Sequence, residues 1–205
     1  MVPVTVVSED ILSEVILRRL LAESVVPYAV EIALPARDRA GGARGSSYIE
    51  KRISGFNKAA NHKPWVVLLD LDRRPCAVEY VNRLLPSGAG RYMILRIAVT
   101  EVESWLLADA EAVAKFFAVA RHRVPPTPDM LPDAREALLN LARQGRCSRQ
   151  VREAVLPHYP SASHGPDYNA TMISFVYKLW NRERAAARSP SLSRAVAALD
   201  RMVYP

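Results

Sequence analysis

An apolar segment that ends in two carboxylates is the feature that most constrains the fold of this chain. The segment Trp65-Val-Val-Leu-Leu-Asp-Leu-Asp72 has the composition of a strand that is buried on both faces of a sheet. A carboxylate inside a core would need a charged or metal partner. We therefore expect the strand to end here and to present Asp70 and Asp72 at its carboxyl end, where open α/β sheets bind ligands.

Strand-like and helix-like segments alternate through the first half of the sequence. Strand patterns lie at residues 4–7, 28–34, 65–69 and 92–99, and helix patterns lie at residues 10–23, 48–60, 78–85 and 101–118. Strands separated by helices are typical of a parallel sheet. The sequence therefore predicts an α/β fold whose parallel sheet has about four strands and carries helices on both faces.

The pattern changes after a proline-rich segment at residues 124–128. The later helix patterns lie at residues 132–144, 148–155, 168–188 and 191–202. We therefore predict two domains, an α/β domain over residues 1–123 and a basic helical appendage over residues 124–205 that packs on it.

The charge of the chain is unevenly distributed. Residues 1–115 hold 15 Lys and Arg against 14 Asp and Glu, whereas residues 116–205 hold 13 against 7, so most of the net charge of +7 lies in the second half. A basic surface suits a polyanionic partner such as nucleic acid. An arginine-rich helical surface that only faces solvent explains the same charge equally well.

Other features of the composition exclude several classes of protein. Cys76 and Cys147 lie far apart and lack the spacing of a zinc site or a disulfide framework. The sequence has no apolar segment of membrane length and no leader-like start. We expect a cytoplasmic protein that does not bind membranes.

Acidic residues follow three of the predicted strands. Glu9 follows the first strand, Asp70 and Asp72 end the third, and Glu101 and Glu103 follow the fourth. The carboxyl ends of parallel strands meet at one edge, so these acids are expected to lie near one another. Clustered carboxylates repel unless a cation neutralises them, and Mg²⁺ is commonly held by a few carboxylates, water and substrate phosphates.

These motifs resemble the Toprim pattern of primases, topoisomerases and OLD-type nucleases, in which a glutamate after the first strand and an Asp-x-Asp after the third bind magnesium. Asp10 follows Glu9 here, where the Toprim pattern has glycine. The segments at residues 55–60, 96–109 and 165–169 are similar to a family of short bacterial Toprim-like proteins of unknown function.

The resemblance implies a Mg²⁺- or Mn²⁺-dependent nuclease, and such proteins often belong to bacterial defence or mobile-element systems. It implies metal ligands at Glu9, Asp70, Asp72 and Glu101, and catalytic roles for Glu9, Asp70, Asp72 and Glu103. Glu101 and Glu103 are two apart on a helix and face different ways, so we expect one of them to point into the site.

Basic residues beside these acids and in the second half are candidates for contacts with nucleic acid. Arg73 and Arg74 follow the Asp-x-Asp and could hold a phosphate, although pairing with the acids is the commoner outcome. Arg146 and Arg149 belong to a series of arginines spaced by three, but Gly145 favours a helix break there.

Other interpretations of the same acids remain open. Glu9 could only cap its helix, and Asp70 and Asp72 could be turn formers before Pro75. The whole protein could be a non-catalytic partner or regulatory subunit of a larger complex, since a fold does not dictate a function. A lower-ranked alternative is a response-regulator-like or phosphatase-like domain in which Asp70 accepts a phosphoryl group.

Overall fold

Four parallel strands form the sheet of this protein, whose computed structural model describes residues 1–33 and 45–205. The strands are β1 (Val2–Ser8), β2 (Tyr28–Ile32), β3 (Trp65–Asp70) and β4 (Met93–Ala98). Their order is β2-β1-β3-β4, and all three neighbouring pairs are parallel. The predicted α/β fold with a parallel sheet of about four strands is confirmed.

Eleven α-helices lie in the described part of the chain. They are α1 (Ile11–Ala22), α2 (Ser46–Glu50), α3 (Ile53–Ala59), α4 (Ala77–Leu84), α5 (Val102–Ala108), α6 (Ala110–Phe117), α7 (Ala134–Gln144), α8 (Arg149–Val155), α9 (Tyr168–Lys178), α10 (Arg182–Ala186) and α11 (Pro190–Asp200). The helices from α7 onwards form the predicted helical C-terminal region.

The strand order determines which helices cover which face of the sheet. The chain passes from β1 to β2 on one side and then returns across β1 to form β3 and β4 on the other. Because crossovers between parallel strands are right-handed, this reversal places α1 on one face and α3 and α4 on the opposite face. The second face is closed by Ile49, Ile53 and Leu84, which pack on Val67 and Leu95.

The central strand β3 is buried along almost its whole length. Val66 and Val67 have no exposed surface, and Leu68 and Leu69 are each 1% exposed. A strand with neighbours on both sides and helices on both faces has no solvent-facing side, which explains its continuous apolar run. Asp70 is the last residue of this strand.

The chain forms two compact units. One comprises residues 1–99 together with residues 193–205 and contains the sheet, and the other comprises residues 100–192 and is helical. Helix α11 begins in the second unit and continues into the first. The division into domains over residues 1–123 and 124–205 stays a prediction.

Three predicted helices are each two helices in the structure. The helix expected over residues 48–60 is divided into α2 and α3, the one over 101–118 into α5 and α6, and the one over 168–188 into α9 and α10. Asp109 starts α6 by accepting a hydrogen bond from the Ala112 N–H, and Asn181 starts α10 by accepting one from the Arg184 N–H. Both side chains favour helix N-termini over helix interiors, so they begin new helices.

The second predicted strand extended to Leu34, and Leu34 lies outside the described residues, as does most of the following glycine- and arginine-rich loop. No described helix is long and apolar enough to cross a membrane.

Candidate functional site

The two central strands, β1 and β3, define a topological switch point of the sheet. The chain leaves β1 towards one side of the sheet and leaves β3 towards the other, so the loops that follow these strands diverge. A crevice at the carboxyl ends of two such strands is the usual ligand site of an open α/β sheet. Glu9 comes directly after β1, and Asp70 ends β3.

A direct hydrogen bond connects Glu9 to the end of β3. The Oε1 atom of Glu9 accepts a hydrogen bond of 2.8 Å from the backbone N–H of Asp70. The helix α1 that follows is capped by Asp10, which accepts a hydrogen bond from the Ser13 N–H, and not by Glu9. The cap position is therefore filled by the neighbouring residue, and the Glu9 side chain turns towards β3.

The environment of Glu9 disfavours its negative charge. Burial raises the pKa of Glu9 to about 7, and the nearby Asp72 and Asp10 contribute to the rise, while the Asp70 N–H and Arg74 oppose it. A carboxylate with this pKa is only partly ionised at neutral pH. A cation beside it would stabilise the charged form.

The two acids of the Asp-x-Asp segment occupy different environments. Asp70 is 6% exposed, whereas the side chain of Asp72 is 47% exposed. The backbone of Asp72 is in the left-handed region, with φ at 52°, a conformation that aspartate tolerates better than most residues. Its carboxylate accepts a hydrogen bond of 2.9 Å from Arg74 Nη1.

Arg74 is held in place by a network of side chains from three segments. Its Nη2 donates a hydrogen bond of 2.8 Å to Glu50, and the Tyr80 hydroxyl donates one of 2.7 Å to the same carboxylate oxygen. The Arg74 guanidinium lies 4.2 Å from the centre of the Tyr80 ring. These contacts fix a guanidinium beside Asp72, whereas the exposed Arg73 makes no such side-chain contact within the described residues.

Glu50 is a member of this network that the sequence analysis did not identify. It lies at the end of α2, 24 residues before Arg74 in the sequence, and no motif marks it. Only its position in a short helix ahead of the third strand could have pointed to it.

Glu101 and Glu103 belong to the helical unit, where both contact Arg135. Glu103 is 1% exposed, and its Oε1 accepts hydrogen bonds from Arg135 Nε at 2.8 Å and from the Tyr168 hydroxyl at 3.1 Å. Glu101 Oε2 accepts a hydrogen bond of 3.0 Å from the Arg135 N–H. Burial, reinforced by Glu103, raises the pKa of Glu101, and Arg135 opposes that rise.

The contacts of Glu101 and Glu103 are those of an ion-pair cluster that stabilises the fold. The second oxygen of Glu103, Oε2, is buried and has no hydrogen-bond partner among the described residues. Arg135 supplies the charge that a buried carboxylate needs. The Tyr168 hydroxyl, whose pKa is raised well above its ordinary value by burial and by Glu103, stays protonated and donates to the carboxylate.

Arg146 and Arg149 are exposed and lie on either side of a helix break. Helix α7 ends at Gln144, and α8 begins at Arg149. A Cβ atom at Gly145 would overlap the carbonyl oxygen of Phe117, so the chain needs glycine where the helices separate. Arg149 pairs with Glu153 at 2.6 Å, and the series of arginines spaced by three does not form one continuous helical stripe.

The number of carboxylates near the switch point is enough for one kind of metal site, that of a hard divalent cation with few protein ligands. Among residues 1–33 and 45–205, no three His, Cys, Asp or Glu side chains are grouped so that they could hold a metal ion. Mg²⁺ is, however, often bound through one or two carboxylates, with water and substrate phosphates as the remaining ligands. Glu9, with its desolvated carboxylate, and Asp70 fit such a pair.

Comparisons of the chain with protein-family models, with curated proteins and with solved structures give no match.

Proposed function

We propose that this protein is a Toprim-like, divalent-metal-dependent phosphodiesterase that acts on nucleic acid. The observation that carries the proposal is the position of Glu9 and Asp70 at the carboxyl ends of β1 and β3, where the strand order reverses. Open α/β sheets bind ligands at this position. Both residues belong to the motifs that resemble the Toprim pattern.

Glu9 and Asp70 would hold the metal ion, Mg²⁺ or Mn²⁺, and Asp72 would join them if its carboxylate turned away from Arg74. The bound ion would polarise a phosphoryl oxygen and stabilise the leaving oxygen. Glu9 is suited to this role because its pKa of about 7 shows that burial destabilises its negative charge. A metal ion beside the carboxylate would stabilise that charge.

Arg74 would orient the phosphate of the substrate at this site. Its guanidinium is preorganised by Asp72, Glu50 and the Tyr80 ring, so little side-chain entropy would be lost when it contacts a phosphate. Planar guanidinium groups match the geometry of phosphate oxygens. The roles proposed for Arg73, Arg146 and Arg149 are looser contacts with the backbone of the nucleic acid, since all three are exposed.

The resemblance also places Glu101 and Glu103 at the site, as a metal ligand and a catalytic acid. Both carboxylates already pair with Arg135, so we rank them below Glu9 and Asp70. A role in bacterial defence or in mobile elements is the setting that the resemblance suggests.

Metal-dependent cleavage tests the proposal directly. Wild-type protein and the Asp70→Asn variant would be incubated with labelled single- and double-stranded DNA and RNA in Mg²⁺, in Mn²⁺ and in EDTA. Calorimetric titration with each metal would accompany the assay. The control is Glu31→Gln, which removes an exposed carboxylate of strand β2 that pairs with Lys63.

We expect cleavage that requires metal, is lost in Asp70→Asn and is retained in Glu31→Gln. Metal binding without cleavage of any substrate would instead support the alternative, a non-catalytic partner subunit that retains an ion site. If neither metal binds the wild-type protein, the metal site at Glu9 and Asp70 is wrong. Labelling of Asp70 by a small phosphodonor would favour the phosphoacceptor alternative.

A further inference from the structure

A charged side chain interrupts the apolar strand β4. Arg96 is half-buried and lies between Leu95 and Ile97, which are 5% and 8% exposed. Because side chains alternate along a strand, Arg96 shares a face of the sheet with Ile94 and Ala98. This face is opposite to the one on which Leu95 and Ile97 pack with the α3 and α4 side of the core.

The guanidinium of Arg96 forms few hydrogen bonds within the described part of the protein. Its Nη1 donates a hydrogen bond of 3.0 Å to the carbonyl oxygen of Leu95, and its Nε is buried without a hydrogen-bond partner in the part of the chain that the structure describes. Within the described residues, Arg96 forms no ion pair with a carboxylate. A cation that is partly removed from water and left unpaired is unfavourable.

Other arginines of this chain pair with a carboxylate. Arg135 pairs with Glu103, Arg74 pairs with Glu50, and Arg184 pairs with Asp109, each at 2.8 Å. Arg96 is half-buried, yet within the described residues it has no such carboxylate partner. No carboxylate among residues 1–33 and 45–205 pairs with Arg96, and an external anion would fill that role.

A second guanidinium lies near Arg96. Burial lowers the pKa of Arg96, and the positive charge of Arg194 on α11 lowers it further. Arg194 is exposed and, like Arg96, forms no ion pair among the described residues. Two neighbouring cations without a counter-charge repel, and an anion bound by both would remove that repulsion.

The register of the sheet places Arg96 close to the candidate metal site. Arg96 pairs with Leu68, and Ala98 pairs with Asp70. Asp70 therefore follows the partner of Arg96 by two residues, on the same face of the sheet. An anion at Arg96 would lie beside the carboxyl edge where a phosphodiester is proposed to be cleaved.

We propose that Arg96 and Arg194 form a binding site for a phosphate group. The guanidinium fork of Arg96 would contact the phosphate oxygens, and Arg194 would add a second, solvent-exposed positive charge. The phosphate belongs either to the backbone of a nucleic acid or to a small phosphorylated molecule. The site goes beyond the proposed cleavage function, because phosphate binding here needs no metal.

Thermal unfolding in EDTA tests this site without the metal site. Wild-type protein, Arg96→Met and Arg194→Gln would be heated in sodium phosphate and in sodium chloride of matched ionic strength. The control is Arg201→Gln, which removes an exposed positive charge from the same C-terminal segment. Arg96→Lys keeps the charge but lacks the fork, and it serves if Arg96→Met does not fold.

We expect phosphate to raise the melting temperature of the wild type, because a ligand that binds only the folded state stabilises it. Calorimetric titration should show phosphate affinity reduced by about 10-fold or more in Arg96→Met, and by a smaller factor in Arg194→Gln. Arg201→Gln should bind like the wild type. In chloride, Arg96→Met should be at least as stable as the wild type, because it removes an unpaired, desolvated charge.

Three results would overturn the proposal. The first is equal melting temperatures of the wild type in phosphate and in chloride, and the second is an unchanged phosphate effect in Arg96→Met or Arg96→Lys. The third is a loss of phosphate affinity in Arg201→Gln equal to that in Arg194→Gln, which would show that only net charge matters. An Asp70→Asn variant that loses cleavage but keeps the phosphate effect would separate this site from the metal site.

The same variants distinguish the two sources of phosphate. Affinity for labelled single-stranded DNA and RNA can be measured by fluorescence anisotropy in EDTA. If the phosphate belongs to a nucleic acid backbone, this affinity should fall about 10-fold in Arg96→Met. If DNA and RNA binding is unchanged while the effect of free phosphate is lost, the site takes a small phosphorylated ligand.

Discussion

The Oε1 atom of Glu9 accepts a hydrogen bond of 2.8 Å from the backbone N–H of Asp70, and this contact joins the ends of the two central strands. An N–H at the end of a buried strand needs an acceptor, and Glu9, which directly follows the neighbouring strand β1, supplies it. The same contact brings a desolvated carboxylate to the point where the loops after β1 and β3 diverge. The contact therefore holds the ends of β1 and β3 together at the candidate site.

The raised pKa of Glu9 predicts that the stability of the metal-free protein depends on pH. Burial raises this pKa from its ordinary value of 4.5 to about 7, so the folded state holds the proton more tightly than the unfolded state does. The associated stability is fully present below pH 4.5 and is lost as the pH rises through 7. Relative to Glu9→Gln, the wild type should lose up to about 3 kcal/mol across this range.

Urea unfolding in EDTA at pH 4.5 and pH 8 measures this difference. The control is Glu79→Gln, because Glu79 is an exposed residue of α4. A wild type whose stability, compared with Glu9→Gln, is the same at both pH values would contradict the assigned environment of Glu9. Added Mg²⁺ should restore stability at pH 8 in the wild type and not in Glu9→Gln, since the bound ion favours the ionised carboxylate.

The buried cluster around Glu103 should behave as one unit. Arg135→Met leaves Glu103 charged and buried, so it should lower the free energy of unfolding by about 3–5 kcal/mol. Tyr168→Phe removes one hydrogen bond and should cost about 1–2 kcal/mol. Urea unfolding of both variants measures these losses.

The double variant Arg135→Met with Glu103→Gln tests the origin of that loss. Because it removes both charges, it should be more stable than Arg135→Met alone. Additive losses for the two substitutions would show that Arg135 and Glu103 do not stabilise each other.

Asp109 should be one of the most sensitive positions in the helical unit. It has no exposed surface, accepts the N–H groups of Ala112 and Asn181, and pairs with Arg184 through both carboxylate oxygens. Asp109→Asn removes the charge from these contacts and turns one oxygen into a donor. We expect a loss of about 2–4 kcal/mol.

Thermal or urea unfolding of Asp109→Asn should be compared with Glu111→Gln. Glu111 is exposed and lies 3.7 Å from the same arginine, so its substitution should change stability by less than about 0.5 kcal/mol. Equal effects of the two substitutions would show that charge near Arg184, and not the buried contacts of Asp109, stabilises this region.

The sequence was sufficient to predict the sheet and insufficient to predict how several side chains pair. The short apolar runs around Val67 and Leu95, separated by helix patterns, predict a parallel sheet of about four strands, whereas the strand order comes from the structure. The sequence predicts single helices over residues 101–118 and 168–188, which place Asp109 and Asn181 in helix interiors. The pairing of Arg74 with Glu50 depends on how α2 docks, which no local pattern encodes.

Two glycines of the chain, Gly55 and Gly145, should respond in opposite directions to substitution by alanine. A Cβ atom at Gly145 would overlap the carbonyl oxygen of Phe117, whereas nothing lies within 4 Å of the corresponding position at Gly55. Gly55 lies inside α3, where alanine is favoured over glycine by about 1 kcal/mol. Gly55→Ala should therefore stabilise the protein, and Gly145→Ala should destabilise it by about 1–3 kcal/mol.

Urea denaturation of both variants gives the sign and size of each change. The backbone of Gly145 has φ at −79°, which any residue can adopt, so the expected loss comes from steric overlap and not from backbone strain. If Gly145→Ala is as stable as the wild type, the segment between α7 and α8 can move away from Phe117. In that case the break in the series of arginines would not be fixed by packing, and Arg146 could approach the helical register of its neighbours.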